Sequence, residues 1–205
     1  MRKLRYTVIR YMLEDDDIKL FLAFQRGDKQ SLEKLLDKYE KPVLNFIYHI
    51  VGSREDAEDL AQEVFLRIYL AAANYKPSAK FSTWLYRIAT NICIDYRRKP
   101  ANKLQRITDS LDKPVDTEEN EITKEIADTS KNLPENILEQ KQVDETIQSA
   151  LLSLPVNQRV ALTLRMFENK SYQEISAILG CSVSSVESLL FRARQNLKQK
   201  LTASF

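Results

Sequence analysis

The sequence predicts an all-α protein, two small helical domains joined by an acidic flexible linker, and three observations carry that prediction. Apolar residues recur at helical spacing, as Ala57, Leu60, Ala61, Val64 and Ile68 do. Alternating runs of Val, Ile and Thr between turn dipeptides, the mark of strands, are absent. The three glycines, Gly27, Gly52 and Gly180, each follow an apolar stretch and are soon followed by Asp28, Ser53 and Ser182, good caps for a next helix. A length of 205 residues with 29% charged side chains suits one medium domain or two small helical ones.

In chain order, residues 1–16 form an N-terminal extension. A first unit over 17–99 has helices near 16–26, 29–40, 42–51, 54–73 and 81–98, with a break expected at Pro42, which fits the first position of a helix. Residues 100–136 (DKPVDTEENEITKE within them) hold too few large apolar residues to build a core and are assigned to the linker. A second unit over 137–205 has helices near 137–152, 156–168, 171–179 and 183–201. No apolar run approaches the roughly 18 residues of a membrane-crossing helix. The N-terminal run is broken by Arg10 and ends in Glu14–Asp17, so no signal peptide is expected. Cys93 and Cys181 are far apart inside helical patterns and read as buried thiols of a reducing compartment, the cytoplasm.

A net charge of +2 conceals strong segregation. Between Lys76 and Arg106 there are eight basic residues against Asp95 alone, a net of +7. Between Asp112 and Glu145 eleven acidic residues face four basic ones, a net of −7, and from Arg159 to Lys200 seven basic residues face three acidic, a net of +4. That order suggests two nucleic-acid-facing units with an acidic connector.

Three segments carry candidate chemistry. In SYQEISAILGCSVSSVESLLFRARQNLKQKL, Ser171 and Glu174 have capping-box spacing, Ile175 and Ile178 face inward, and Gly180 allows a tight turn. Ser182 or Ser184 then caps a longer helix packed through Val183, Val186, Leu190 and Leu197, with Ser184, Ser185, Glu187, Ser188, Arg192 and Arg194 outward. This is helix-turn-helix geometry, with an ordinary helical hairpin as the plainer alternative. In YKPSAKFSTWLYRIATNICIDYRRKP, Tyr75, Phe81, Trp84, Tyr86 and Tyr96 interleave with Lys76, Lys80, Arg87, Arg97 and Arg98, which suits single-stranded nucleic acid. The alternative is that Phe81, Trp84, Leu85 and Ile88 form a buried stripe. In SREDAEDLAQEVFLRIYLAA, Glu55, Asp56, Asp59, Gln62 and Glu63 lie on or near one helix side, which composition alone reads as a solvated, dipole-complementing surface.

Together DAEDLAQEVFLRIY (56–69), FSTWLYRIATNICIDYRRK (81–99) and residues 154–197 resemble the sigma-70 family of transcription initiation factors, in its short, two-domain extracytoplasmic-function group. The resemblance spans residues 17–99 and 137–201. It implies a subunit of RNA polymerase holoenzyme, without catalysis or a cofactor, that binds −10 and −35 promoter DNA and helps open it. By this likeness Asp56, Asp59, Gln62, Glu63 and Phe65 dock on the clamp of the largest polymerase subunit. Tyr75, Lys76, Lys80, Phe81, Ser82, Thr83, Trp84, Arg87, Asn91, Arg97 and Arg98 capture the non-template strand of the −10 element. Ser184, Ser185, Glu187, Ser188, Phe191, Arg192 and Arg194 read the −35 element. The acidic linker resembles the connector toward the RNA exit channel. A contact with the flap of the second-largest subunit and an anti-sigma partner are further expectations of the resemblance. One departure stands out: Val186-Glu187-Ser188-Leu189 replaces the common pattern with basic residues at the positions of Glu187 and Leu189. Glu187 is suited to accept from cytosine N4 rather than to touch phosphate. The rival readings are a stand-alone, dimeric helix-turn-helix regulator, which gives the acidic helix no role, and a metal-dependent nuclease using Asp56, Asp59 and Glu63, for which no suitable ligand spacing exists.

Overall fold

The computed structural model describes residues 15–98, 144 and 146–202. The assigned linker over 100–136 and nearly all of the N-terminal extension lie outside the described residues, as does the start of the helix expected over 137–152.

The first unit is built by four helices: α1 (Asp16–Gln25), α2 (Lys29–Val51), α3 (Arg54–Ala71) with a 3-10 turn at Ala72–Asn74, and α4 (Phe81–Arg98). Side-chain caps set their starts, since the first turn of a helix has N–H groups without partners. Asp28 Oδ1 accepts from Gln30 N at 3.1 Å, and Ser53 Oγ accepts from Asp56 N at 3.3 Å. Asp15 serves two helices at once: Oδ1 accepts from Asp17 N at 3.0 Å, and Oδ2 accepts from Phe81 N at 3.2 Å, which ties α4 to the start of α1. Asp17, itself buried, accepts from Lys38 Nζ at 2.6 Å and from the Tyr39 hydroxyl at 2.6 Å. Burial and the Asp17 carboxylate push the Tyr39 phenol well above its ordinary pKa.

Pro42 does not break the chain. Residues 29–51 form one helix with Pro42 inside it, against the break expected there. An interior proline costs a helix about 3 kcal/mol. Leu35 and Tyr39 before it, and Val43, Phe46, Ile47 and Ile50 after it, form one buried stripe against α1, α3 and α4. At roughly 1.5–3 kcal/mol per fully buried large apolar side chain, keeping that stripe straight outweighs the proline.

The second unit comprises a helical segment over 146–152, α5 (Val156–Met166), α6 (Tyr172–Leu179) and α7 (Val183–Thr202). Its core is Leu151, Leu154, Val160, Leu164, Ile175, Ile178, Val186, Leu190 and Ala193. The two units are not separate beads: α4 packs on α6, and α2 packs on α5, so their cores merge. At the centre of the seam Arg159 is 1% exposed. It donates to the Ile50 carbonyl of α2 and, on its own side, to the carbonyls of Leu152 and Leu154. Beside it the Leu152 side chain lies against Gly52, the left-handed cap of α2 at φ 88°, where an added Cβ would stand 2.6 Å from Leu152 Cδ1. His49 stacks on Phe167 with ring centroids 4.2 Å apart, and its Nδ1 is 2.9 Å from Gln148 Oε1. Burial lowers the His49 pKa, which keeps the ring neutral at neutral pH.

Arg159→Met keeps the volume and removes the donors. It is expected to lower stability by roughly 1–3 kcal/mol for each buried carbonyl left unpaired, read as a shifted midpoint in urea denaturation. An unchanged midpoint would refute the central role of Arg159.

Candidate nucleic-acid interface

The sequence of α6 and α7 produces a bent helix pair. Ser171 Oγ accepts from Glu174 N at 3.3 Å while Glu174 Oε2 accepts from Ser171 N at 2.9 Å, a complete capping box. Burial alone would raise the Glu174 carboxyl, but hydrogen bonds from Ser171 and Lys80 prevail and hold it down at about 2. Gly180 closes α6 at φ 65°, a left-handed conformation that costs glycine little. Ser182 Oγ then accepts from Ser185 N at 3.2 Å to open α7. The two helices meet at 99°, within the range of helix-turn-helix units.

Along α7, Val186, Leu190 and Ala193 face inward and are buried. Ser184, Ser185, Glu187, Ser188, Phe191, Arg192 and Arg194 are all exposed, Phe191 by 61%. They form the outer surface of the second helix of the motif. No ion pair formed by the described residues involves Glu187 or Arg192, so the carboxylate of Glu187 is not neutralised among the described residues.

Helix α4 splits its residues between core and surface. Tyr75, Phe81 and Thr83, read from the sequence as strand-capturing, are 7%, 1% and 5% exposed. Phe21 accounts for the burial of the two rings: it lies 4.8 Å from Tyr75 and 5.1 Å from Phe81, centroid to centroid, so the rings pack on one another. Trp84 sits in the same cluster, 4.7 Å from Tyr75, yet keeps part of its surface open. Lys76, Lys80, Arg87, Asn91 and Arg98 are exposed, and Ser82 and Arg97 are half-buried.

On α3, Ala57, Leu60, Ala61, Val64 and Ile68 are buried, as the periodicity predicts. Asp59 and Gln62 are exposed, and Asp56, Glu63 and Phe65 are half-buried. Glu63 pairs with Arg67, and Arg54 with Glu58 at 3.0 Å, each one turn apart on the exposed side. The acidic face continues into three exposed apolar residues, Leu66, Tyr69 and Leu70, at 57%, 55% and 66% exposure. Sequence reasoning passed over them, although their position off the buried stripe was a readable signal. It also passed over Glu168 and Lys170, which stand in a loop and touch α4 only in the folded chain. Among the described residues no single helix is long and apolar enough to cross a membrane.

This architecture has known counterparts. Family models match the chain twice, sigma-70 region 2 over residues 35–103 and sigma-70 region 4 over residues 144–197. The RNA polymerase sigma-H factor of Pseudomonas aeruginosa is 33% identical over 190 residues, covering 93% of this chain and 96% of that protein. The ECF RNA polymerase sigma-E factor of Escherichia coli K12 is 32% identical over 182 residues, covering 86% of this chain and 90% of that protein. Among solved structures, CnrH in complex with the cytosolic domain of CnrY shares the fold with a TM-score of 0.65 and 23% identity, over 93% of this chain and 99% of that one. RpoE of Bartonella quintana, in complex with the anti-sigma factor NepR, has a TM-score of 0.60 and 20% identity, over 83% of this chain and 96% of that one. With both characteristic regions present in order, and relatives aligned over nearly their whole length, the chain belongs to the sigma-70 family as an RNA polymerase sigma factor of the extracytoplasmic-function (ECF) group.

Proposed function

We propose that this sigma factor divides its work among three surfaces and performs no catalysis of its own. The observation that carries the proposal is the outward set on α7: seven polar or aromatic side chains exposed on the second helix of a bent pair, with an unpaired carboxylate among them. The N-terminal half of α7 reads the −35 element in the major groove, and Arg192 and Arg194 hold phosphates. The outer face of α4 and the segment before it, with Lys76, Lys80, Arg87, Asn91, Arg97, Arg98 and the open edge of Trp84, captures the non-template strand of the −10 element. Tyr75, Phe81 and Thr83 support that face from the core. Asp56, Asp59, Gln62, Glu63 and Phe65 on α3 dock on the polymerase clamp, with Leu66, Tyr69 and Leu70 extending the same face.

Residues 17–99 form the clamp and −10 unit, residues 137–205 the −35 unit with a contact to the flap, and the acidic residues 100–136 the connector between them. The setting is the cytoplasm. An anti-sigma factor as a protein partner rests on the family likeness; the fold relative RpoE of Bartonella quintana is described with one.

Charge reversal at Asp59 and Glu63 together is expected to abolish binding to core polymerase while helical content and melting stay unchanged, read by a pull-down titration. Wild-type affinity in the double variant would remove the α3 assignment. Alanine at Lys80 or Arg97 is expected to flatten the salt dependence of holoenzyme binding to a bubble template by up to about 0.7 per lost strand phosphate. An unchanged slope for both counts against strand capture by α4.

The carboxylate of Glu187 faces a groove of negative potential, so it needs a compensating partner. A cytosine N4 amino group is a donor of the right kind, worth roughly 1–3 kcal/mol of base discrimination. Glu187→Ala is therefore expected to relax the preference for one cytosine of the −35 element, and Glu187→Arg to strengthen non-specific binding and change the preferred base. Promoter libraries randomised over the −35 element and selected with each holoenzyme check this; identical preferences at every position would leave Glu187 pointing to solvent.

A further inference from the structure

Residues 76–80 carry the chain from the turn after α3 into α4, and they include Lys76 and Lys80, both exposed. Both ends of this segment are tied to α1. At the entry, Gln25 Nε2, from the last residue of α1, donates to the carbonyls of Ala72 at 2.9 Å, Tyr75 at 3.3 Å and Ala73 at 3.4 Å. These carbonyls lie in and just after the 3-10 turn that ends α3, where the helical ladder runs out. At the exit, Asp15 Oδ2, from the N-cap of the same helix, accepts from Phe81 N at 3.2 Å. Lys80, the residue before α4, has no acceptor in its own side chain, so α1 supplies that cap. Between the two ties, the Phe21 ring of α1 meets Tyr75 and Phe81, the residues that bound the segment.

These contacts lay the segment along α1, from the helix's C-terminal end to its N-terminal end. From Asp15 to Gln25 the helix advances about 15 Å, at ~1.5 Å per residue. The chain from Tyr75 to Phe81 reaches at most roughly 20 Å when fully extended, at ~3.3–3.6 Å per residue. A segment anchored at both ends of that span has little slack. Its residues suit the extension: Tyr75 is extended, at φ −64° and ψ 130°, and Pro77 disfavours helical backbone at Lys76.

We propose that α1 is a splint for the strand-capturing edge and that Gln25 is its positioning residue. The amide of Gln25 touches no DNA; it fixes where Lys76 and Lys80 meet the phosphates of the strand. The proposal rests on the assignment of these lysines to the −10 element. Gln25 is exposed, and a hydrogen bond in solvent adds little to stability. Removing the amide therefore leaves the fold in place while the turn over 72–75 loses its tether. Asp15 isolates the effect less well, because it also caps α1.

Gln25→Met, which keeps the side-chain length and a good helix former at the end of α1, tests the splint in assembled holoenzyme. The readout is the salt dependence of binding to a bubble template. Methionine removes no charge, yet the slope is expected to flatten by about 0.7 for each strand phosphate that Lys76 or Lys80 no longer reaches. Melting of the free chain and affinity for core polymerase are expected to stay unchanged. In a Lys76→Ala/Lys80→Ala background the same substitution is expected to leave the slope where the two alanines put it. A wild-type slope for Gln25→Met overturns the splint. Lower affinity at a wild-type slope also overturns it, since that marks a direct contact of the amide with the strand, and so does further flattening in the double-alanine background. Should methionine destabilise the chain, Gln25→Ala is read by the same measurements with the same outcomes. The two alanines by themselves separate the causes. A flattened slope there, with no response to Gln25→Met, removes the splint alone. A wild-type slope there removes the strand assignment and the splint with it.

Discussion

The buried guanidinium of Arg159 is the interaction on which the arrangement of the two units depends. A cation is costly to bury unless its donors are used, and Arg159 turns Nη1 and Nη2 on main-chain carbonyls of three residues from two separate stretches of chain. Ile50 belongs to the last turn of α2, where carbonyls lack helical partners and the macrodipole is negative. Leu152 and Leu154 stand where the segment before α5 ends. A neutral side chain would leave those acceptors dry, and a lysine has no planar fork with which to reach all three. The guanidinium thus sets how α5 sits on α2, and with it where α6 meets α4.

Around that anchor the contacts grade from dry to wet. Apolar packing of α2 with α5 lies near the seam's centre, while the stack of His49 on Phe167, itself 48% exposed, and the pair of Lys80 with Glu174 lie at its margin, where solvent screens the ion pair. Glu174 has two duties: it completes the capping box of α6 and it meets Lys80 of the other unit. Local helix chemistry and the inter-unit contact therefore share one carboxylate. Asp15 plays a comparable part in the first unit, capping α1 and receiving the first N–H of α4.

Much of the site was legible from local pattern. The stripe of α3, the capping box of Ser171 and Glu174, the turn at Gly180 and the exposed face of α7 all follow from residues within one or two helical turns of each other. The same rules misjudged Pro42, because a proline penalty is local whereas the stripe that overrides it is completed by α1, α3 and α4. They also assigned Tyr75 and Phe81 to a strand of DNA, since nothing near them in sequence shows that Phe21, more than fifty residues earlier, fills the space against their rings. Leu66, Tyr69 and Leu70 escaped notice for the converse reason: apolar residues are expected inside, although these three lie off the stripe of Ala57, Leu60, Ala61, Val64 and Ile68.

By itself the sequence determined the helices, the charge segregation, the helix-turn-helix and the membership of the sigma-70 family, because each is written in residue types at short spacing. Tertiary structure alone decided which aromatics of α4 are core and which edge is open, that α2 runs unbroken through Pro42, and that the two units close on each other around Arg159. Those outcomes depend on side chains some fifty to a hundred and ten residues apart, such as Phe21 with Tyr75, Tyr86 with Glu168, and Arg159 with the Ile50 carbonyl. Their burial is a property of the assembled core, and no local rule of spacing or propensity contains it.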